Sequence, residues 1–200
     1  MALNWQLERE QGWPNRPVCG VDEAGRGPWA GPVTAAAIIL PAGFDLGVDD
    51  SKKLTEKTRE RLFEELVHLP HGIGFASVEE IDAMNILQAT FLAMQRAVEA
   101  LAPNPAYVLV DGNHLPAWDY PSQAIIGGDG RSPSIAAASI LAKVTRDRLM
   151  RQLHEAFPYY GWASNKGYGA KAHSEGLAQH GVSPHHRKSY APIRKILGQE

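Results

Sequence analysis

Two neighbouring stretches near the N-terminus decide the fold: residues 17–28 read PVCGVDEAGRGP, and residues 33–40 read VTAAAIIL. The first is a short β-branched run that enters a glycine-rich turn. The second is continuously apolar, which is typical of a strand covered on both faces. About ten residues separate the two runs, which is too few for a helical crossover, so we expect an antiparallel hairpin.

Strands and helices alternate through the rest of the chain as far as residue 157. Capping and periodicity signals predict helices over 55–68, 78–101, 133–157 and 170–180, and apolar runs predict strands over 73–78, 107–110 and 124–126. Ser77 and Glu80 have the spacing of a capping box. Alternation of this kind indicates an α/β protein, and the initial hairpin makes its central sheet mixed rather than purely parallel.

Length and composition place the chain among ordinary globular proteins. It has 200 residues, of which 44% are hydrophobic and 21% charged, enough for a sizeable core. No apolar run approaches the roughly 20 residues of a membrane span, and the N-terminus does not read as a signal peptide. The single cysteine, Cys19, cannot form an internal disulfide and reads as a small core residue. We therefore expect a cytoplasmic protein, with a monomer as the default.

Charge is distributed unevenly along the chain. Residues 1–130 contain 9 Lys and Arg against 18 Asp and Glu, whereas residues 131–200 contain 11 against 4. Their net charges are thus −9 and +7. The asymmetry favours a carboxylate site beside a polyanion-binding surface; simple drift of charge along the chain is the alternative.

Four acidic residues follow predicted strands: Asp22 and Glu23 after the first, Asp111 after the fourth and Asp129 after the fifth. Strand ends gather ligands in open α/β sheets, so these side chains can converge. Converging carboxylates repel one another unless they share protons or bind cations, and Mg²⁺ and Mn²⁺ prefer such oxygen ligands. The alternative is that each Asp before a glycine is only a turn residue.

Several long motifs closely resemble those of bacterial ribonuclease HII, the type 2 ribonucleases H. They fall in order along nearly the whole chain: VDEAGRGP (21–28), DSKKL (50–54), NILQAT (85–90), VDGN (110–113), SIAAASILAKVTRD (134–147) and KGYG (166–169). The resemblance implies an RNase H-like α/β fold with a mixed central sheet flanked by helices and a basic, helical C-terminal extension. We expect a catalytic core over 1–157 with residues 158–200 packed on it, as one functional domain over 17–195.

The resemblance also implies an activity and a site. The family hydrolyses the RNA strand of RNA–DNA hybrids and nicks duplex DNA 5′ to an embedded ribonucleotide, leaving 3′-hydroxyl and 5′-phosphate ends. Asp22, Glu23, Asp111 and Asp129 match its catalytic, metal-binding carboxylates, which imply Mg²⁺ or Mn²⁺, with two ions during catalysis. Residues that match or are expected to bind substrate are Gly25, Arg26, Gly27, Tyr168, Lys143 and Lys166.

Some positions leave room for other interpretations. Gly127-Gly128 precedes Asp129, where the family usually has Lys-Gly, so a phosphate contact is in doubt. Asp147 competes for the role of fourth carboxylate, although a helical ion pair explains it more simply. Further candidates for phosphate contact are Arg146, Lys171, Arg187 and Lys188, and we expect His185–His186 to lie in a surface loop or to contact phosphate rather than to bind zinc.

Two rival functions remain open at this stage. One is a non-catalytic nucleic-acid-binding module, which the four strand-end acids disfavour because unneutralised carboxylates repel phosphates. The other is a different nuclease or recombinase that uses clustered carboxylates on the same scaffold. Substrate choice separates that rival, since only ribonuclease HII should require a ribonucleotide within duplex DNA.

Overall fold

The computed structural model describes residues 3–45, 47 and 54–198. Its strands are β1 (Val18–Ala24), β2 (Val33–Ile39), β3 (His71–Ala76), β4 (Tyr107–Asp111) and β5 (Ser122–Ile125). Its helices are α1 (Gln6–Glu10), α2 (Glu56–Leu66), α3 (Val78–Met84), α4 (Ile86–Glu99), α5 (Pro133–Ala156), α6 (Trp162–Asn165), α7 (Lys171–His180) and α8 (Ala191–Ile196). Short 3₁₀ helices cover Gly128–Gly130 and Pro158–Tyr160.

The sheet is mixed, as the sequence predicts, with the strand order β3-β2-β1-β4-β5. Strands β1 and β2 form the expected antiparallel hairpin, with Val21 opposite Ala37. Strand β1 runs parallel to β4, and β4 runs parallel to β5. The carboxyl ends of β1, β4 and β5 therefore meet at one edge of the sheet, which is where the candidate acids lie.

Helices cover both faces of the sheet. On one face α4 packs on β1–β3 through small residues such as Ala93 and Ala97, which join Val21 and Val110 in one core cluster. On the other face α5 and α2 form a second cluster, in which Ile140 and Leu62 are buried. Helix α5 approaches β1 so closely that a Cβ on Gly20 would lie 2.1 Å from the Ser134 carbonyl carbon. Helix α5 thus packs directly against β1, the strand that carries Asp22.

One predicted helix is two. The sequence pattern indicates a single helix over 78–101, but the chain breaks at Asn85, whose φ of 74° is left-handed. The Asn85 side chain accepts hydrogen bonds from the Leu87 and Gln88 amides and so caps α4. The capping box of Ser77 and Glu80 that begins α3 is confirmed.

The C-terminal segment packs against the end of α5. Tyr160, Trp162, Leu177 and Ile193 are buried with Met150 in a separate cluster. Residues 29–31 and 185–187 run side by side, with an isolated β-bridge between Ala30 and His186. A division of the chain after residue 157 stays a prediction. Among the described helices, none is long and apolar enough to cross a membrane.

Candidate active site

The four predicted carboxylates come together at the sheet edge. Asp22 and Glu23 lie near the end of β1 and Asp111 is the last residue of β4. Asp129 lies in the 3₁₀ turn after β5, which Gly127 enters with a left-handed φ of 63°. The Asp111 Oδ1 atom accepts a 2.6 Å hydrogen bond from the Gly128 amide. This bond joins the end of β4 to the turn that holds Asp129.

Electrostatics show that these acids act on one another. Asp22 is 7% exposed and Asp129 4% exposed. Burial is the largest cause that raises the pKa of Asp22 well above its usual value, and repulsion by Glu23, Asp111 and Asp129 raises it further. Burial and the charge of Asp111 also raise the pKa of Glu23, while the neighbouring Arg26 guanidinium opposes the rise. Clustered, buried negative charge of this kind is relieved by protons or by a cation.

The donor set fits a hard divalent cation in chemical type, since it offers carboxylate oxygens alone. Across residues 3–45, 47 and 54–198, however, no three His, Cys, Asp or Glu side chains already form a group able to hold a metal ion. The acids also have contacts outside the cluster or with the backbone: Asp111 Oδ1 accepts from the Gly128 amide, Asp22 Oδ1 accepts from the Glu23 amide, and Glu23 Oε1 lies 3.2 Å from Arg26 Nη1. A bound cation would therefore draw the carboxylates closer together than they lie in this structure.

A cleft of about 520 Å³ opens beside the acids. Its lining contains most of the predicted site residues, namely Glu23, Gly25, Arg26, Gly27, Asp129, Lys143 and Tyr168. Tyr168 is 49% exposed, which excludes a core role. Its ring lies against Gly27, where an added Cβ would be 3.4 Å from Tyr168 Cε1. The glycine loop and the tyrosine thus form adjoining parts of one wall.

The two predicted lysines differ in placement. Lys143 lines the cleft, and its Nζ lies 2.8 Å from Asp147 Oδ1 one helical turn away. That pair matches the simpler explanation of Asp147. The Lys166 ammonium group instead hydrogen-bonds the Ala163 carbonyl, and Lys166 does not belong to the described lining. Residues 50–53 of the DSKKL motif lie outside the described residues.

Burial decides three expectations about individual side chains. Those for the two arginines and for His186 are wrong, and the one for Cys19 is confirmed. Arg146 and Arg187 do not contact phosphate, because both are buried and their guanidinium groups bind backbone carbonyls. His186 is likewise buried rather than in a surface loop, and its Nε2 lies 2.9 Å from His173 Nε2. Cys19 is a core residue as expected, and burial raises its pKa to about 12.

Other residues of the site were missed by the sequence argument. Arg59 and Ser139 line the same cleft, and a second depression, which shares Glu23 and Arg26 with it, is lined by Thr90, Asn113 and His114 among others. Ser139, Thr90 and Asn113 lie inside the motifs that carry the family resemblance, so their position was the available signal. Arg59 and His114 carry no such signal.

Comparison with known proteins decides the family. The model of the ribonuclease HII family matches residues 19–193. The chain belongs to the ribonuclease HII family. It is 56% identical to ribonuclease HII of Burkholderia thailandensis over 187 residues, which cover 92% of this chain and 87% of that protein.

Solved structures agree with the fold. The crystal structure of ribonuclease H2 from Pyrococcus horikoshii superposes with a TM-score of 0.75 at 30% identity, covering 91% of this chain and 97% of that one. Bst-RNase HIII in complex with Mn²⁺ has a TM-score of 0.72 at 22% identity, covering 92% and 70%; that likeness concerns the fold alone. As a member of the ribonuclease HII family, the protein is a type 2 ribonuclease H, an endonuclease that acts on RNA–DNA hybrids. A non-catalytic binding module is not supported.

Proposed function

We propose that this ribonuclease HII holds divalent cations, Mg²⁺ or Mn²⁺, on Asp22, Glu23, Asp111 and Asp129, and that it nicks duplex DNA on the 5′ side of an embedded ribonucleotide. The observation that supports the assignment is the convergence of the four acids at one sheet edge, where Asp22 and Asp129 are buried and the neighbouring acids repel the charge of Asp22. A cation removes that repulsion, and carboxylate oxygens are its preferred ligands.

The reaction is hydrolysis of one phosphodiester bond. Water adds to the phosphorus atom and the bond to the 3′-oxygen breaks, which leaves a 3′-hydroxyl and a 5′-phosphate. Two bound cations would supply activation of the attacking water and neutralisation of the departing 3′-oxygen. In this assignment Asp22 and Asp111 are the central ligands, and Glu23 and Asp129 complete the set.

Selection of a ribonucleotide must depend on its 2′-hydroxyl, which a deoxyribonucleotide lacks. The backbone of Gly25 to Gly27 borders the cleft beside Asp129, and a glycine backbone can approach a sugar where a Cβ would clash. The half-exposed Tyr168 ring adjoins Gly27. A ring packed on the next sugar would disfavour a second 2′-hydroxyl, which favours an RNA–DNA junction.

Backbone affinity is assigned to basic residues of the C-terminal third. Lys143 borders the cleft, and Lys171 and Lys188 are exposed. Lys166 is kept as a weaker candidate because its ammonium group already has a partner. A single functional domain over 17–195, a monomeric state and a cytoplasmic location stay predictions.

The experiment is incision of a duplex DNA that contains one ribonucleotide, with an all-DNA duplex of the same sequence as the control. We expect a single nick 5′ to the ribonucleotide that requires Mg²⁺ or Mn²⁺, and loss of cleavage with retained binding in Asp22→Asn and Asp111→Asn. Cleavage of the all-DNA duplex would favour the rival nuclease on this scaffold. Near wild-type turnover in both variants would reject the carboxylate assignment.

A further inference from the structure

Two buried arginines hydrogen-bond the backbone of the glycine loop, residues 25–27, and of the residues that follow it. Arg187 is completely buried, and its Nε, Nη1 and Nη2 atoms lie 2.9, 2.8 and 2.5 Å from the carbonyl oxygens of Gly31, Arg26 and Gly25. The Nε and Nη2 atoms of Arg146 lie 3.0 and 3.1 Å from the Pro32 and Ala30 oxygens. Five carbonyls of one eight-residue segment thus accept hydrogen bonds from two side chains.

The burial of two guanidinium groups in this arrangement is costly. Burial lowers the pKa of Arg146 to about 10, so the group is still protonated at neutral pH. Neither guanidinium forms an ion pair with a carboxylate of the described residues. A buried charge without an ion-pair partner costs several kcal/mol, and the hydrogen bonds to the five carbonyls offset that cost, whereas apolar side chains would leave the same oxygens without donors. What arginine adds is a rigid, planar set of donors that fixes the direction of several carbonyls at once.

The direction of these carbonyls determines which groups the loop presents to the cleft. In a trans peptide the carbonyl and the following N–H point to opposite sides. Because the oxygens of Gly25 and Arg26 point at Arg187, the amides of Arg26 and Gly27 point away from it. Those residues border the cleft next to Asp129 and Tyr168. The hydrogen bonds from Arg187 therefore leave the Arg26 and Gly27 N–H groups on the side of the loop where a substrate would lie.

Arg146 also ties this loop to the turn that carries Tyr168. Its Nη1 atom lies 3.0 Å from the Lys166 carbonyl oxygen, and the Trp29 amide donates to the Gly167 oxygen at 2.8 Å. Lys166 has a left-handed φ of 52°, which turns the chain into Gly167 and Tyr168. The Arg146 guanidinium thus lies against Gly25, where an added Cβ would be 2.0 Å from Nε, and joins residues 30 and 32 to the turn that leads into Tyr168.

We propose that Arg146 and Arg187 are positioning residues that fix the Gly25 to Gly27 backbone relative to Tyr168 and thereby set the discrimination between a ribonucleotide and a deoxyribonucleotide. Neither arginine touches the substrate in this account. The inference rests on the proposed function, because it assigns a cause to the ribonucleotide selectivity of the same cleft.

A change at Tyr190 can weaken the contact between Arg187 and the glycine loop without removing the arginine. Its hydroxyl donates to the Arg26 carbonyl at 2.5 Å and accepts from Arg187 Nη1 at 2.9 Å. Tyr190→Phe removes both bonds and keeps the ring. Tyr160→Phe is the matched control, since the Tyr160 hydroxyl donates to the Gly181 carbonyl at 3.1 Å, away from the loop.

The measurement is steady-state incision of the single-ribonucleotide duplex, with the all-DNA duplex as a competitive inhibitor. Loss of these two hydrogen bonds in Tyr190→Phe should raise KM about 3- to 10-fold. We expect kcat to stay within about twofold and the inhibition constant of the all-DNA duplex to stay unchanged, because the carboxylates and the phosphate contacts are intact. Arg187→Lys, which cannot reproduce the planar donor set, should have a larger effect in the same direction.

The possible results distinguish the positioning role of the two arginines from the proposed function itself. A rise in KM in Tyr190→Phe but not in Tyr160→Phe supports the positioning role. A fall in kcat at unchanged KM, as a smaller folded fraction would give, overturns it, and so do equal constants in both variants. If the wild-type protein incises neither duplex, the proposed function fails and this inference fails with it.

Discussion

Replacement of Asp22 by Asn should stabilise the metal-free protein while it abolishes cleavage. Burial and three neighbouring acids raise the pKa of Asp22 well above the unfolded value of 3.8. A carboxyl whose pKa is higher in the folded state binds its proton more tightly there, so its ionisation at neutral pH lowers the free energy of unfolding. Asn has nearly the same shape, carries no charge, and its amide oxygen can still accept the 2.7 Å hydrogen bond from the Glu23 amide.

The size of the effect can be followed in the melting temperature. For a chain of this length each kcal/mol changes Tm by about 2–4 °C. A cation at 100 times its Kd adds about 2.7 kcal/mol to the wild-type protein, which corresponds to roughly 5–10 °C. The variant should begin with a higher Tm in chelator and gain much less from the cation, because a central ligand and its charge are gone.

The assay is thermal unfolding by circular dichroism at pH 7.5, first in chelator and then with increasing Mg²⁺ or Mn²⁺. Asp119→Asn is the matched control, since Asp119 is exposed and precedes β5, at the opposite end of the strands from Asp111. A lower Tm for Asp22→Asn in chelator, or a cation-induced gain equal to that of the wild type, would refute the reasoning.

Three further results are expected. Tyr168→Ala should reduce incision at a single ribonucleotide more than cleavage of a continuous RNA–DNA hybrid, and equal losses would exclude a role at the junction. Gly25→Ala should lower the free energy of unfolding in urea by more than about 2 kcal/mol, because the position has a φ of 97° and the new Cβ would lie 2.0 Å from Arg146 Nε; an unchanged midpoint would contradict this. Burial and the adjacent His173 lower the pKa of His186 to about 4, so the unfolded state binds more protons below pH 6.5 and stability should fall by on the order of 3 kcal/mol towards pH 4. Urea titrations between pH 6.5 and pH 4 should show that the free energy of unfolding falls less steeply with decreasing pH in His186→Asn than in the wild type. An equal dependence on pH in both proteins would contradict this prediction.

The acid site could be predicted because each of its members follows a local pattern. Apolar runs that end at an acid next to glycine mark strand ends, and the topology of an α/β sheet brings such ends together. The short link between the first two strands was sufficient to predict their antiparallel pairing, which the register with Val21 opposite Ala37 confirms. The roles of Asp22, Glu23, Asp111 and Asp129 in metal binding stay predictions.

The buried polar residues could not be predicted in the same way. Arg187 binds the Gly25 oxygen across 162 positions of the chain, and no local pattern reports a contact of that range. A basic residue in a basic segment reads as exposed, because burial of an isolated charge is normally too costly. The break at Asn85 was missed for a related reason, since apolar periodicity continues across it and the side-chain cap is visible only in three dimensions.

The most direct test of the central claim is a comparison of wild-type protein and Asp111→Asn on a DNA duplex with one ribonucleotide, each with Mg²⁺ and with chelator. The account predicts one nick, 5′ to the ribonucleotide, in the wild type with Mg²⁺ and in none of the other three reactions. A nick of comparable yield in the chelator reaction, or in Asp111→Asn with Mg²⁺, would contradict it.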